Sequence, residues 1–199
     1  MWAQGRDAVA TSEVAERLNV SAASATNMIK RLARLHLVTY APYHGLTPTL
    51  AGQKIALEII RHHRLIELYL VQNLGIPLES VHDEAERMEH VLSDEVEERM
   101  ATALGDPVQD PHGDPIPSAD GTIRDVRYPK LETLASGSEG VVAHVSDQSP
   151  HLLRRLAHLG VLPGAALKML ARHRNGCEVE IAGRRLTLSH SLCEGVYVQ

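Results

Sequence analysis

Residues 11–32, TSEVAERLNVSAASATNMIKRL, contain two short runs of apolar residues at helical spacing, separated by a polar turn. Thr11 or Ser12 is placed to cap the first helix, and Ser21 is placed to cap the second. Two short helices joined by a tight turn are typical of a helix-turn-helix, whose second helix reads DNA in the major groove.

The polar side of the second helix supplies the candidate DNA contacts. Asn27 can pair bidentately with adenine, and a cation such as Lys30, further along the helix, can meet phosphate. The predicted DNA-binding residues are Ser21, Ser24, Thr26, Asn27 and Lys30. Two apolar runs around a Pro/Gly turn at 41–45 then predict a β-hairpin wing, so residues 1–48 form a winged helix-turn-helix domain.

Residues 49–104 are predicted to form a helical domain. A long helix runs from Thr49 to about Leu74, a second from near Glu79 through His90, and a third begins after Ser93. This segment has five Lys/Arg and eleven Asp/Glu, whereas residues 1–48 have five and three. The acidic segment 49–104 is therefore suited to binding a cation, and the mildly basic segment 1–48 is suited to facing DNA phosphates.

Six side chains of this helical domain have the chemistry of metal ligands. Two form an i, i+4 pair on the first helix, and four project within a roughly 100° arc of the second helix. Helical bundles hold metals with such inward-facing sets. The predicted ligands are His63, Glu67, His82, Glu86, Glu89 and His90. Imidazole and carboxylate without thiolate favour Mn²⁺ or Fe²⁺. His62 and Asp83 fit less well and are expected to be exposed.

The remainder of the chain has a different pattern. Residues 105–130, rich in proline, glycine and aspartate, are predicted to be a linker outside the core. Short alternating runs in 131–199, with one helix near 150–159, predict about five strands in a small β-barrel. Cys177 and Cys193 lack CxxC spacing and are expected to be reduced apolar residues. The predicted fold class is therefore multidomain, mainly α, with a small β-barrel.

The sequence shows neither the pattern of a membrane-spanning protein nor that of a secreted one. No run of 18 apolar residues is present, so no transmembrane helix is expected, and the first residues lack the apolar region of a signal peptide. We therefore expect a cytoplasmic protein.

The sequence resembles the diphtheria toxin repressor (DtxR/MntR) family along essentially its whole length. The resemblance is carried by 63–70, 74–77 and 81–97, together with Ala15-Glu16-Arg17-Leu18 and the segment 113–117, GDPIP. It implies a homodimeric repressor that binds double-stranded operator DNA when loaded with metal. It also implies a winged helix-turn-helix, a helical dimerisation domain and a C-terminal SH3-like domain.

The resemblance also implies how the ligands divide. His63, Glu67 and His82 match one metal site of the family. Glu86, Glu89 and His90 match the adjoining site. The iron-sensing branch has a cysteine at the position of Glu86 and the manganese-sensing branch a glutamate, so the resemblance favours Mn²⁺.

Two regions depart from the family pattern or lack a fixed register. The family has an additional N-terminal helix that supplies one or two metal ligands, whereas only ten residues precede Thr11 here, so the first helix is expected to be truncated. The family also places acceptor side chains of the third domain near a metal. The residues in the corresponding region are Asp147, Gln148 and His151.

Two other functions remain open on sequence. A di-metal carboxylate metalloenzyme accounts equally well for the six candidate ligands, but not for the helix-turn-helix and wing. A winged-helix regulator of a small organic ligand would need an aromatic-lined pocket, for which 3% aromatic residues offer little.

Overall fold

The computed structural model describes residues 8–146 and 149–199. The chain divides into two compact units, the first ending at Ile59 and the second beginning at Ile60.

The first unit is a helix-turn-helix followed by a hairpin, as predicted. Its elements are α1 (Thr11–Arg17), α2 (Ala22–Arg34), β1 (Val38–Ala41), β2 (Gly45–Pro48) and the start of α3 (Leu50–Leu74). The hairpin strands pair antiparallel from Val38↔Pro48 to Ala41↔Gly45. Val9, Ile29 and Leu46 form the buried core that holds α2 against the hairpin. This packing leaves the polar side of α2 facing outward.

Of the two helix caps predicted for this unit, the one at Ser21 is confirmed, and Thr49 caps α3 in the same way. The Ser21 hydroxyl accepts the backbone N–H of Ser24 at 3.1 Å, and the Thr49 hydroxyl accepts the N–H of Gly52 at 3.1 Å. The predicted Thr11 or Ser12 cap is wrong, because both residues already lie inside α1 and the capping position is Ala10.

The second unit begins with a helical layer. The rest of α3 packs with α4 (Val81–Met88) and α5 (Asp94–Ala103) through two small buried clusters. The first cluster contains Leu65, Leu68, Ala101 and Ile116, and the second Ile66, Leu70, Val81 and Ala85. Helix α4 ends two residues before the predicted end at His90, since Glu89 and His90 lie in a turn.

The predicted linker is partly core. Asp110, His112 and Ile116 are buried, and Arg61 and Arg64 of α3 donate hydrogen bonds to the carbonyls of Pro117 and Pro115 respectively. A Cβ on Gly113, whose φ is +93°, would lie 2.0 Å from the Ala143 carbonyl oxygen, so glycine is required for this close approach. Composition predicted a solvated linker, and this was partly wrong because proline and glycine also occur in tight, buried turns.

The C-terminal part is a five-stranded antiparallel sheet with two helices. After a 3₁₀ turn (Leu131–Thr133) come β3 (Glu139–Val145), α6 (Pro150–Leu159), β4 (Ala166–His173), β5 (Gly176–Ile181), β6 (Arg184–Ser189), α7 (His190–Glu194) and β7 (Val196–Val198). The strand order is β6-β5-β4-β3-β7. The predicted closed barrel is not confirmed, because no pairing joins β6 to β7 in residues 8–146 and 149–199. Among the described residues, no helix is long and apolar enough to cross a membrane.

Candidate metal centre

Three of the six predicted ligands meet between α3 and the first turn of α4. His63 and Glu67 lie one helical turn apart on α3, and His82 is the second residue of α4. His63 Nε2 lies 3.0 Å from Glu67 Oε1 and 3.1 Å from His82 Nδ1, and His82 Nδ1 lies 3.4 Å from Glu67 Oε1. Two imidazole nitrogens and a carboxylate oxygen therefore converge on one point.

These distances fit a divalent ion. Ligands about 2.1 Å from an octahedral metal and at right angles to one another lie about 3.0 Å apart. The three observed separations, from 3.0 to 3.4 Å, are close to that value. The donor set of nitrogen and oxygen atoms is also one that Mn²⁺ and Fe²⁺ accept.

The electrostatics of the metal-free site are set by its carboxylates. Burial acts to lower the pKa of His63, but hydrogen bonds and charge from Glu67 and Glu89 outweigh it and raise that pKa to about 9. Burial acts to raise the pKa of Glu67, but hydrogen bonds from His112 and His63 outweigh it and lower that pKa to about 2. The site therefore concentrates negative charge that, without metal, is balanced by a proton.

Glu89 lies behind this centre and orients it. Its Oε2 accepts a hydrogen bond from His63 Nδ1 at 2.6 Å, which leaves Nε2 of the same ring directed at Glu67 and His82. A carboxylate on the far nitrogen is the usual way in which proteins fix a metal-binding imidazole. Glu89 was predicted as a ligand of the adjoining group; the structure places it against the first group.

Glu86 and His90 are not part of the group formed by His63, Glu67 and His82. Both are exposed, and the nearest ligand-to-ligand approach of His90 is 3.4 Å, from Nε2 to Glu89 Oε1. The predicted arc assumed that α4 continues through His90. The helix ends at Met88, so His90 lies beyond it in a turn.

His62 was expected to be exposed, and that expectation is wrong. It is buried beside the metal centre, with Nε2 2.7 Å from Glu97 Oε2 and Nδ1 3.3 Å from the Glu89 carbonyl oxygen. Glu97 also accepts a hydrogen bond from Arg61. This network ties α3 to α5 and to the turn that carries Glu89. Asp83 is exposed, as expected.

Sequence reasoning also missed two buried residues of the 105–121 segment. His112 is fully buried, with Nε2 3.7 Å from Glu67 Oε1. Asp110 holds its turn by accepting the backbone N–H groups of His112 and Asp114, both at 2.9 Å. Burial and the charge of Asp114 raise the pKa of Asp110 to about 7. The available signal was a histidine and two aspartates spaced evenly in a Pro/Gly turn.

The predicted DNA-contact residues lie together on α2 and its cap. Ser21, Ser24, Asn27 and Lys30 are exposed, and Thr26 is half-buried. Ser21 and Ser24 hydroxyls are 2.9 Å apart, and the Thr26 hydroxyl donates to the Ala22 carbonyl oxygen at 2.7 Å. Asn27 and Lys30 thus form the outward polar edge of the helix.

The third-domain candidates stay predictions. Asp147 and Gln148 lie outside the described residues, and His151 is exposed in the first turn of α6. Within the described part of the chain, one other group could hold an ion, formed by Glu132, His190 and Glu194. Its side chains are 33%, 62% and 50% exposed, and exposed acidic groups are common without a metal, so we assign it none.

Comparisons with known proteins show which family the chain resembles. A family described as "Iron dependent repressor, metal binding and dimerisation domain" matches residues 49–118, and its N-terminal DNA binding domain matches residues 2–46. A FeoA domain matches residues 130–199. The iron-dependent repressor IdeR of Mycobacterium leprae (strain TN) is 33% identical over 202 residues, covering 94% of this chain and 87% of that protein. The chain belongs to the diphtheria toxin repressor family.

Two further proteins of this kind are similar to the chain along most of its length. The diphtheria toxin repressor of Corynebacterium diphtheriae is 33% identical over 184 residues, covering 90% of this chain and 80% of that protein. A solved manganese-dependent transcriptional repressor in complex with manganese is 38% identical, with a TM-score of 0.87, covering 98% of this chain and 92% of that one. The family consists of metal-dependent transcriptional repressors and not of enzymes, so the resemblance is confirmed and the metalloenzyme alternative is set aside.

Proposed function

We propose that this chain represses transcription by binding operator DNA as a homodimer when a divalent metal occupies the site of His63, Glu67 and His82. The observation that carries the proposal is the convergence of those three ligand atoms within 3.4 Å of one another. A helix-turn-helix with an outward polar edge and a wing supplies the DNA-reading surface. Such a repressor acts where the operator is, in the cytoplasm.

The donor chemistry favours Mn²⁺, with Fe²⁺ as the alternative. The three ligand atoms are imidazole nitrogen and carboxylate oxygen, and no thiolate lies among them. Glu86, the residue that a cysteine replaces in iron sensors of the family, is a glutamate here. The relative with a TM-score of 0.87 is a manganese-dependent repressor, whereas the mycobacterial relative is iron-dependent. When bound, the ion would supply positive charge that offsets the carboxylates of the site.

Glu86, Glu89 and His90 are proposed as the adjoining site. Glu89 already lies between the two groups, with Oε2 on His63 and Oε1 3.4 Å from His90. Glu86 would have to turn toward Glu89 and His90, which its exposed position in the second half of α4 allows. Because side chains must move before an ion can bind, the adjoining site should have a lower metal affinity than the preformed group on α3 and α4.

The other assignments follow the sequence. We propose that Ser21, Ser24, Thr26, Asn27 and Lys30 contact DNA, and that the operator is a pseudo-palindrome matching the two-fold symmetry of the dimer. We propose residues 1–48 as the DNA-binding domain, 49–104 as the metal-binding and dimerisation domain, and 131–199 as an SH3-like domain joined through 105–130. The five-stranded sheet and the FeoA match support the last of these.

The test is selection of genomic DNA fragments from the source organism by the full chain, with Mn²⁺, with Fe²⁺ under anaerobic conditions, or with chelator. We expect a pseudo-palindromic site to be enriched only with metal, and the His63→Ala and Glu67→Gln variants to lose that enrichment. The Glu95→Gln variant is the control, because Glu95 pairs only with Arg99 on the exposed side of α5 among the contacts described. Equal enrichment with chelator would contradict the proposal.

A further inference from the structure

Two cysteines that the metal centre does not use meet in the C-terminal sheet. Cys177 on β5 and Cys193 on α7 are the chain's two cysteines, and their Sγ atoms lie 2.8 Å apart. Both residues are 1% exposed. Sequence spacing gave no reason to pair them, since sixteen positions separate them.

The fold of residues 176–194 brings the two together. Cys177 pairs with Leu188 in the β5–β6 hairpin, and α7 follows β6 without an intervening loop. Helix α7 therefore folds back over β5, and the Cys193 thiol lies 3.7 Å from the Leu188 carbonyl oxygen. A disulfide needs the sulfurs to approach from 2.8 Å to about 2.05 Å. That movement is within the reach of side-chain torsions.

A cavity gives small molecules a route to the pair. Its volume is about 670 Å³, and both cysteines are part of its lining. The rest of the wall includes Arg172, Arg174 and His190, which carry or can carry positive charge, and Glu132, whose charge acts to raise the pKa of both thiols. The thiolate is the reactive form of cysteine, and the contact between the two sulfurs favours it at one of them.

We propose that Cys177 and Cys193 are a dithiol that hydrogen peroxide converts to an intramolecular disulfide joining β5 to α7. The Cys193 thiolate attacks one peroxide oxygen, the O–O bond breaks, and a sulfenic acid forms with release of hydroxide. The Cys177 thiolate then attacks that sulfur, forms the S–S bond and expels a second hydroxide. The protons of the two thiols convert both hydroxides to water, so two thiols are oxidised and one peroxide is reduced.

The order of the two cysteines rests on their surroundings. With the Cys177 thiol as the donor in the contact between the two sulfurs, that contact lowers the pKa of Cys193 and, together with burial, raises the pKa of Cys177. Cys193 also follows His190 by one helical turn on α7. Cys193 is accordingly the attacking residue and Cys177 the resolving one.

The test treats the full metal-free chain with hydrogen peroxide and counts free thiols after denaturation. We expect both thiols to disappear, the intact mass to fall by two hydrogens, and a non-reducing peptide map to join the Cys177 and Cys193 peptides. Dithiothreitol should restore both thiols. Oxidation of Met28, which is 47% exposed, reports that the oxidant dose was sufficient. Two free thiols remaining under conditions that oxidise Met28 would overturn the proposal, as would a disulfide formed only between chains.

Single variants test the order of attack. In Cys177→Ser, the sulfenic acid at Cys193 cannot be resolved, and dimedone should label it. In Cys193→Ser, dimedone labelling of Cys177 should be at least tenfold slower. Equal labelling in the two variants would overturn the assigned order. The wild-type peptide map decides whether the disulfide forms even if a variant fails to fold.

Discussion

Replacing Glu67 with glutamine removes one negative charge from the centre of the proposed metal site and keeps the side chain's size. In the metal-free chain, the carboxylate has a pKa of about 2 instead of 4.5. This shift corresponds to about 3 kcal/mol of stabilisation. The shift of His63, from 6.5 to about 9, includes the same His63–Glu67 contact, so the two shifts are not added.

The direction of each pKa shift defines the pH range in which this stabilisation is present. The lowered pKa of Glu67 stabilises the fold above pH 4.5 and is lost as pH falls toward 2. The raised pKa of His63 stabilises the fold below pH 6.5 and is lost as pH rises through 9. The pair is therefore at full strength near pH 6. Urea unfolding of the metal-free Glu67→Gln variant at that pH should show a loss of up to about 3 kcal/mol.

The same substitution should remove most of the metal's effect on stability. Changes to groups that only support a metal ligand already cost about 10–100-fold in affinity, so loss of the ligand itself should cost at least about 100-fold. Mn²⁺ at 100 times the wild-type Kd stabilises the wild-type chain by about 2.7 kcal/mol, and a 100-fold weaker site by about 0.4 kcal/mol. For a chain of this size, Mn²⁺ should raise the wild-type Tm by about 5–11 °C and the variant's by less than about 2 °C.

Thermal unfolding with and without Mn²⁺ at pH 7.5 measures this difference directly. Glu95→Gln serves as the matched control, because it removes an exposed carboxylate of the same size and should keep the wild-type shift. A Glu67→Gln variant that keeps the wild-type Mn²⁺-dependent rise in Tm would refute the assignment of Glu67 as a ligand.

The remaining predictions concern proton displacement, the adjoining site and DNA reading. Because the carboxylates raise the pKa of His63 to about 9, a metal ion must displace a proton from that ring. Calorimetry should therefore show the Mn²⁺ affinity rising about tenfold per pH unit from pH 7 to 9. An affinity that does not change over this range would contradict the prediction. The double variant Glu86→Ala/His90→Ala should lose one of about two bound Mn²⁺ ions per chain, and unchanged stoichiometry would exclude the adjoining site. Glu86→Cys should shift preference toward softer metals in competition assays, and an unchanged rank order would mean that Glu86 is not a ligand. Asn27→Ala should cost roughly 1–3 kcal/mol at one base position, whereas Lys30→Ala should weaken binding to all sequences alike and reduce the salt slope by about one. Fluorescence anisotropy on the selected operator with Mn²⁺ distinguishes these two results, and an Asn27→Ala variant with wild-type affinity and base preference would show that the reading helix is misplaced.

The parts of the site that the sequence predicts are those that depend on local geometry. His63 and Glu67 share a face because residues four apart on a helix always do, and His82 lies at the start of the next helix. The end of α4 at Met88 was not predicted, because no proline or glycine marks it in the sequence, and the role of His90 stays a prediction. The same local rules correctly predicted the helix-turn-helix and the wing.

The parts that the sequence does not predict depend on long-range contacts. His112 reaches Glu67 only because Arg61 and Arg64 hold the proline-rich segment against α3. His62 is buried because Glu97, thirty-five positions away, accepts its hydrogen bond. The Cys177–Cys193 contact likewise requires α7 to fold over β5. Composition does not identify the partners in such contacts, and for His112 the only sign in the spacing was its even placement between Asp110 and Asp114.

The most direct test of the metal centre is X-ray diffraction from crystals of the full chain grown with Mn²⁺, recorded above and below the manganese absorption edge. The difference between the two data sets locates manganese without reference to the protein. We predict a manganese peak bonded to His63 Nε2, Glu67 Oε1 and His82 Nδ1, with His63 Nδ1 still hydrogen-bonded to Glu89. Crystals whose manganese peaks all lie elsewhere, with those three side chains still in contact and no metal between them, would contradict the account.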